Sequence, residues 1–216
     1  MRGGWRRAEL KPRLIQLLAL AYLLGVAGTL WDWREHYLGF SMQAPHLVID
    51  LGGLLAIGAL AFTAWDRISG RTLAAFYLLL VLVLVIILGP FVLMMAAPHS
   101  QLMASFMREG MTRSALGIYL PIVLLAGWSA WRWLRLAPVN AWRIVAAGGV
   151  VVVAIASIWD LYWHQTHPLE MGVSMNMMTL PPHQLILAGF LIGAAGSIVV
   201  VVQSASRAPA RPASAG

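Results

Sequence analysis

The 216-residue chain contains no cysteine and has few charged residues. Without thiols, neither a disulfide nor a thiolate metal site can form. Charged residues make up only 11% of the chain and hydrophobic residues 60%, whereas soluble domains carry about 25% charged residues. The composition therefore excludes an ordinary soluble domain and indicates a membrane protein.

Six apolar segments come close to the ~20 residues that a helix needs to cross a bilayer. They are residues 14–30, 47–63, 72–95, 115–131, 144–161 and 184–202. We expect an all-α fold, a six-helix transmembrane bundle that forms a single domain over residues 1–205. The small, polar and proline-rich residues 206–216 predict a disordered cytoplasmic tail.

Positive charge is unevenly distributed between the two sides of these segments. One side carries 12 of the 15 lysines and arginines, in residues 2–13, 66–71, 132–143 and 207–211. The positive-inside rule then predicts a multi-pass protein of the cell membrane with both termini in the cytoplasm. Topology accounts for the net charge of +7, so the charge requires no nucleic-acid partner. The lipid bilayer is the expected partner, and other membrane subunits or a homo-oligomer remain open.

Histidine and methionine gather on the opposite, extracytoplasmic side. All 6 histidines fall there, as do the methionines after Met1. The second segment also contains Asp50, about one turn inside its predicted outer end. An acidic residue within a membrane is costly and is a functional candidate by default.

An internal repeat relates residues 31–53 to residues 159–189. In order, the matching residues are Trp31, Asp32, His36, Pro45 and His46 with Trp159, Asp160, His164, Pro182 and His183. We expect two parallel repeat units, about 14–63 (helices 1 and 2) and 144–202 (helices 5 and 6). Small residues on the second and sixth predicted helices favour a close approach of those two helices.

The repeated residues are metal-ligand types at ligand spacing. An aspartate and a histidine four residues apart share one helix face, and the Pro-His pair begins the next helix. One aspartate and two histidines suit Cu(II), zinc or Fe(II). The candidate ligands are Asp32, His36, His46 and Asp50 in the first repeat, and Asp160, His164, His167 and His183 in the second. Asp50 is either a ligand or the group that orients His46, and the repeats hold either one shared centre or two.

The methionine-rich segment indicates which metal ion the site prefers. Four methionines lie in the segment 170–178, and thioethers are soft ligands that favour Cu(I). We therefore expect a copper ion, with zinc or iron as the alternative.

The motif in the second repeat resembles the metal motif in the C subunit of the copper membrane monooxygenases, the particulate methane and ammonia monooxygenase family. The matching positions are Asp160, Trp163, His164 and His183, and more loosely Asp32, His36 and His46. The resemblance implies copper bound within the membrane and is confined to the motif. The expected function is that of a divergent monooxygenase-like subunit or a copper-handling protein.

Other functions fit the same residues. One is a zinc- or iron-dependent membrane hydrolase or oxidase, with metal-bound water and Asp50 as general base. Another is a transporter in which the carboxylates and imidazoles carry protons or cations. The plainest alternative is that the Asp and His pairs form interhelical hydrogen bonds that hold the repeats together.

Overall fold

The computed structural model describes residues 12–38, 43–63, 78, 81, 111–135, 140–166 and 181–206. These residues form five helices, which are α1 (Pro12–Tyr37), α2 (Gln43–Thr63), α3 (Met111–Arg135), α4 (Ala141–Thr166) and α5 (Pro181–Ser206). Four of them, α1, α2, α4 and α5, are long and apolar enough to cross a membrane. The predicted third segment, 72–95, lies outside the described residues except for 78 and 81, and so does the tail after Ser206.

The helices extend beyond the apolar segments that predicted them. The first and fifth segments end at 30 and 161, but α1 continues to Tyr37 and α4 to Thr166. The added turns carry Asp32 and Glu35, which are 2% and 8% exposed. Hydropathy falls at these acids, whereas the helix continues past them with both side chains buried.

Two helical hairpins form the centre of the fold. Helix α1 packs along α2, and α4 packs along α5; the hairpins meet where α1 contacts α5, while α3 lies against α4 and α2. A Cβ atom on Gly52 of α2 would lie 2.7 Å from the Gly25 nitrogen of α1, and one on Gly149 of α4 would lie 2.5 Å from the Gly193 Cα of α5. The small residues thus let backbones approach within each hairpin. The expected approach of the second and sixth predicted helices is not observed, because α2 and α5 pack mainly on other helices.

Tyr22 joins the two hairpins. Its side chain is fully buried, and its hydroxyl donates a hydrogen bond to the Ala146 carbonyl of α4. The ring packs edge-on against Phe190 of α5, with centroids 6.4 Å apart. A Cβ atom at Gly193 would lie 2.4 Å from this ring, so glycine there leaves room for the tyrosine.

Polar side chains cap the start of α4 and link it to the end of α5. The Asn140 side chain accepts a hydrogen bond from the Arg143 backbone amide at 2.9 Å, which caps α4, and its amide donates to Gln203 Oε1 of α5 at 3.3 Å. The guanidinium of Arg135 lies 5.3 Å from the Trp131 ring centroid. The start of α4 is thereby fixed to the end of α5.

Candidate functional site

A buried proline begins each of the two helices that carry the Pro-His pairs. Pro45 lies in the first turn of α2 and Pro182 in the first turn of α5, and both are fully buried. Proline suits this position because the first turn of a helix has no partner for the missing backbone N–H. His46 and His183 follow directly, so each histidine is held in the first turn of its helix.

Four of the predicted site residues meet at the end of the bundle where α1 and α4 finish and α2 and α5 begin. His46 Nδ1 lies 3.4 Å from Asp32 Oδ1. His183 Nε2 lies 3.9 Å from Asp32 Oδ2, and His183 Nδ1 lies 3.0 Å from Asp160 Oδ1. We call these four residues, Asp32, His46, Asp160 and His183, the Asp-His cluster. Residues that are far apart in the sequence and belong to both predicted repeats thus contribute to one site.

Asp32 lies at the centre of the Asp-His cluster. Its side chain is 3% exposed, compared with 47% for His46. Its two carboxylate oxygens face different histidines, one from α2 and one from α5. A buried carboxylate is costly unless charged or hydrogen-bonding groups surround it. The two imidazoles and Asp32 therefore stabilise one another.

The Asp-His cluster is extended and has no single point of convergence. Asp32 uses both oxygens and His183 both ring nitrogens, so the contacts run from His46 through Asp32 and His183 to Asp160. Among the described residues, no group of three His, Asp or Glu side chains converges as a metal-binding group. The structure places His36 on α1 and His164 on α4 but does not describe their side chains, and His167 lies outside the described residues.

Asp50 lies on α2, whereas Asp32 lies on α1. It lines a pocket between α2, α3 and α4, together with Ile57, Ile122, Val153, Ser157 and other residues. The pocket has a volume of about 30 Å³. The sequence places Asp50 one turn after His46, and the structure adds that its surroundings are largely apolar.

Glu35 is a buried acidic residue near the end of α1 that the sequence analysis did not single out. It is 8% exposed, and its Oε1 accepts hydrogen bonds from Trp31 Nε1 at 3.2 Å and Arg34 Nη1 at 3.1 Å. Its position three residues after Asp32 could have identified it, because residues at that spacing share a helix face. Position 163, which corresponds to Glu35 in the second repeat, is a tryptophan.

Four apolar helices and a polar cluster at one end of them fit an integral, multi-pass α-helical membrane protein. Comparison of the chain with protein families, curated proteins and solved structures gives no match. Arguments about function therefore rest on the residues and their geometry.

Proposed function

We propose that this protein is an integral membrane metal-binding protein in which Asp32 is a ligand shared between the two repeats. The observation that carries the proposal is the position of Asp32 between His46 of its own repeat and His183 of the other, at 3.4 and 3.9 Å. Carboxylate oxygens and imidazole nitrogens are ligands for zinc, copper and iron. These two contacts bring one carboxylate and two imidazoles together from three helices.

The two contacts of Asp32 are longer than a direct hydrogen bond. An N–H···O hydrogen bond measures about 2.7 to 3.2 Å, compared with 3.4 and 3.9 Å for the two contacts. Two donors at about 2.1 Å from one tetrahedral ion lie about 3.4 Å apart. The distance between Asp32 and His46 therefore matches the spacing of two ligands of one ion.

Asp160 takes a different role in this proposal. Its Oδ1 lies 3.0 Å from His183 Nδ1, so the carboxylate is adjacent to the ring nitrogen that does not face Asp32. Histidines that bind metals commonly donate their second ring N–H to a carboxylate, which fixes the ring and its tautomer. Asp160 thus orients His183 so that Nε2 is left for the ion. His36, four residues after Asp32, is the sequence's candidate for a further ligand.

The repeat and the six-helix bundle remain part of the proposal, and packing supports the repeat. Gly52 of α2 approaches Gly25 of α1, and Gly189 of α5 approaches Val153 of α4, with Cβ contacts of 2.7 and 2.8 Å. Gly52 and Gly189 match in the repeat, and Gly25 and Val153 each lie six residues before the matched tryptophans. The repeat alignment that matches the residues of the Asp-His cluster therefore also matches these close contacts of Gly52 and Gly189.

Copper is the ion we propose, on the basis of the methionine-rich segment 170–178 and the resemblance to the copper membrane monooxygenases. In this setting the chain acts as a monooxygenase-like subunit or in copper handling, in the cell membrane and with cytoplasmic termini. Other membrane subunits or further copies of the chain complete such an assembly. Zinc or iron in the purified protein would favour the alternative of a metal-dependent hydrolase or oxidase.

Elemental analysis of protein purified in mild detergent tests the proposal. We expect stoichiometric metal in the wild type and its loss in His183→Ala, because that change removes the imidazole that joins the two hairpins. Gln184→Ala is the matched control, since this exposed neighbour lies in the same turn of α5. Wild-type protein that stays metal-free after incubation with Cu, Zn and Fe salts would refute the metal centre. Unchanged metal in His183→Ala would refute the ligand assignment.

A further inference from the structure

The pocket at Asp50 places a carboxyl group among apolar side chains within a membrane-spanning helix. Of the residues that line it, only Asp50 and Ser157 have polar side chains; the remainder are Ile49, Gly53, Leu54, Ile57, Ile122, Val150, Val153 and Ala154. Asp50 comes from α2 and Ser157 from α4. The pocket lies on the α3–α4 side of α2, whereas Asp32 belongs to α1. None of its lining residues belongs to the Asp-His cluster, and Asp50 lies one helical turn after His46 of that cluster.

Hydration is the simplest way to stabilise a carboxyl group in this position. A carboxylate that moves from water into an apolar environment without hydrogen bonds loses much of its favourable hydration free energy. A water molecule requires about 10 to 15 Å³ of such volume and two or more polar partners, and the pocket offers about 30 Å³. Ser157 donates its hydroxyl proton to the Val153 carbonyl at 2.9 Å, so its oxygen can still accept a hydrogen bond. Asp50 and Ser157 thus supply acceptors on two sides of the pocket.

We propose that Asp50 and Ser157 form a water-binding site that holds one or two ordered water molecules between α2, α3 and α4. Each water donates hydrogen bonds to the Asp50 carboxylate and the Ser157 hydroxyl oxygen. Because Asp50 follows His46 by one helical turn, the site provides bound solvent on the membrane side of the Asp-His cluster. Asp50 then serves to hold water and is not itself a metal ligand.

The repeat supplies a natural substitution for the test. Position 187 corresponds to Asp50 in the second repeat and is a leucine. Leucine is larger than aspartate and has no hydrogen-bonding group, so Asp50→Leu should both fill the pocket and remove the acceptor that holds water. Asp50→Asn keeps hydrogen-bonding atoms and is the matched conservative variant.

Radiolytic hydroxyl-radical labelling with mass spectrometry, on the full chain in lipid nanodiscs, detects bound water because radicals form at it and modify adjacent side chains. In the wild type we expect labelling of Ile57 and Val153 above that of Phe190, which is fully buried in the core. In Asp50→Leu the labelling should fall to the level of Phe190, and in Asp50→Asn it should persist. Ser157→Ala keeps the Asp50 carboxylate and should also reduce the labelling of Ile57 and Val153. It replaces Asp50→Leu in the test if that variant does not fold.

Two results would overturn the water site. One is equal labelling of Ile57 and Val153 in the wild type and Asp50→Leu, which would mean a dry pocket. The other is loss of bound metal in both Asp50→Leu and Asp50→Asn under conditions where Ser157→Ala and the wild type retain it, which would make Asp50 a ligand. A metal-free wild type would refute the metal centre and leave the labelling contrast intact, so the two proposals fail separately.

Discussion

Gly52→Ala is predicted to destabilise the α1–α2 hairpin. The added Cβ atom would lie 2.7 Å from the Gly25 nitrogen, 2.8 Å from the Gly25 Cα and 3.0 Å from the Ala21 carbonyl oxygen. Favourable contacts between heavy atoms lie near 3.5 to 4.0 Å, and both partners here are helical backbone, which cannot rotate away. The two helices must therefore separate locally by about 1 Å.

The expected change in the free energy of unfolding combines two opposing effects. Overpacking a close contact costs about 1 to 3 kcal/mol, while replacing glycine by alanine in a helix recovers about 0.5 to 1 kcal/mol. We expect a net loss of about 1 to 2 kcal/mol. Gly148→Ala is the matched control, because no atom outside its own helix lies within 4 Å of a Cβ atom there, and it should be neutral or stabilising.

Reversible unfolding in mixed micelles, followed by tryptophan fluorescence, measures both variants against the wild type. Separation of α1 from α2 should also lengthen the Asp32–His46 contact, which joins the same two helices at 3.4 Å. Equal stability of Gly52→Ala and Gly148→Ala would refute the close approach of α1 and α2, and with it the geometry that brings His46 to Asp32.

Two further predictions concern the cluster and the contact between the hairpins. Asp32→Asn should abolish metal binding because both histidines lose their shared carboxylate. Asp160→Asn should weaken metal binding about 10- to 100-fold, as expected for a group that orients a ligand. Titration with Cu and Zn measures both variants, and equal losses of affinity would contradict the different roles of Asp32 and Asp160. Tyr22→Phe should lower the free energy of unfolding by about 1 kcal/mol, because the hydrogen bond to the Ala146 carbonyl is lost while the ring remains. An unchanged unfolding midpoint in Tyr22→Phe would argue against that bond.

Much of the helical fold follows from hydropathy and proline placement. The segments 14–30, 47–63, 144–161 and 184–202 lie within α1, α2, α4 and α5, the four helices long and apolar enough to span a membrane. The positions of Pro45 and Pro182 also predicted where α2 and α5 begin, since proline fits the first turn of a helix. Local sequence is sufficient here because each feature depends on residues within a few positions of one another.

The partners of the site residues were less predictable. The motif spacing suggested Asp32 with His36 and Asp160 with His164, because residues four apart share a helix face. The described contacts join Asp32 to both His46 and His183, and His183 to Asp160, while the side chains of His36 and His164 lie outside the described residues. The spacing along the chain cannot indicate which helices become neighbours.

The sequence by itself determined the class of the protein, four of its apolar helices and the residue types available for chemistry, because hydropathy and ligand chemistry are local properties. Only the tertiary structure decided that Asp32 contacts a histidine of each hairpin and that Asp50 lines a separate pocket. The contact of Asp32 with His183 depends on how α1 packs against α5, where Tyr22, Phe190 and Gly193 fit together, and the pocket depends on how α2, α3 and α4 pack. Shape complementarity between distant segments arises only when the helices pack together, so the spacing of residues along the chain does not predict it.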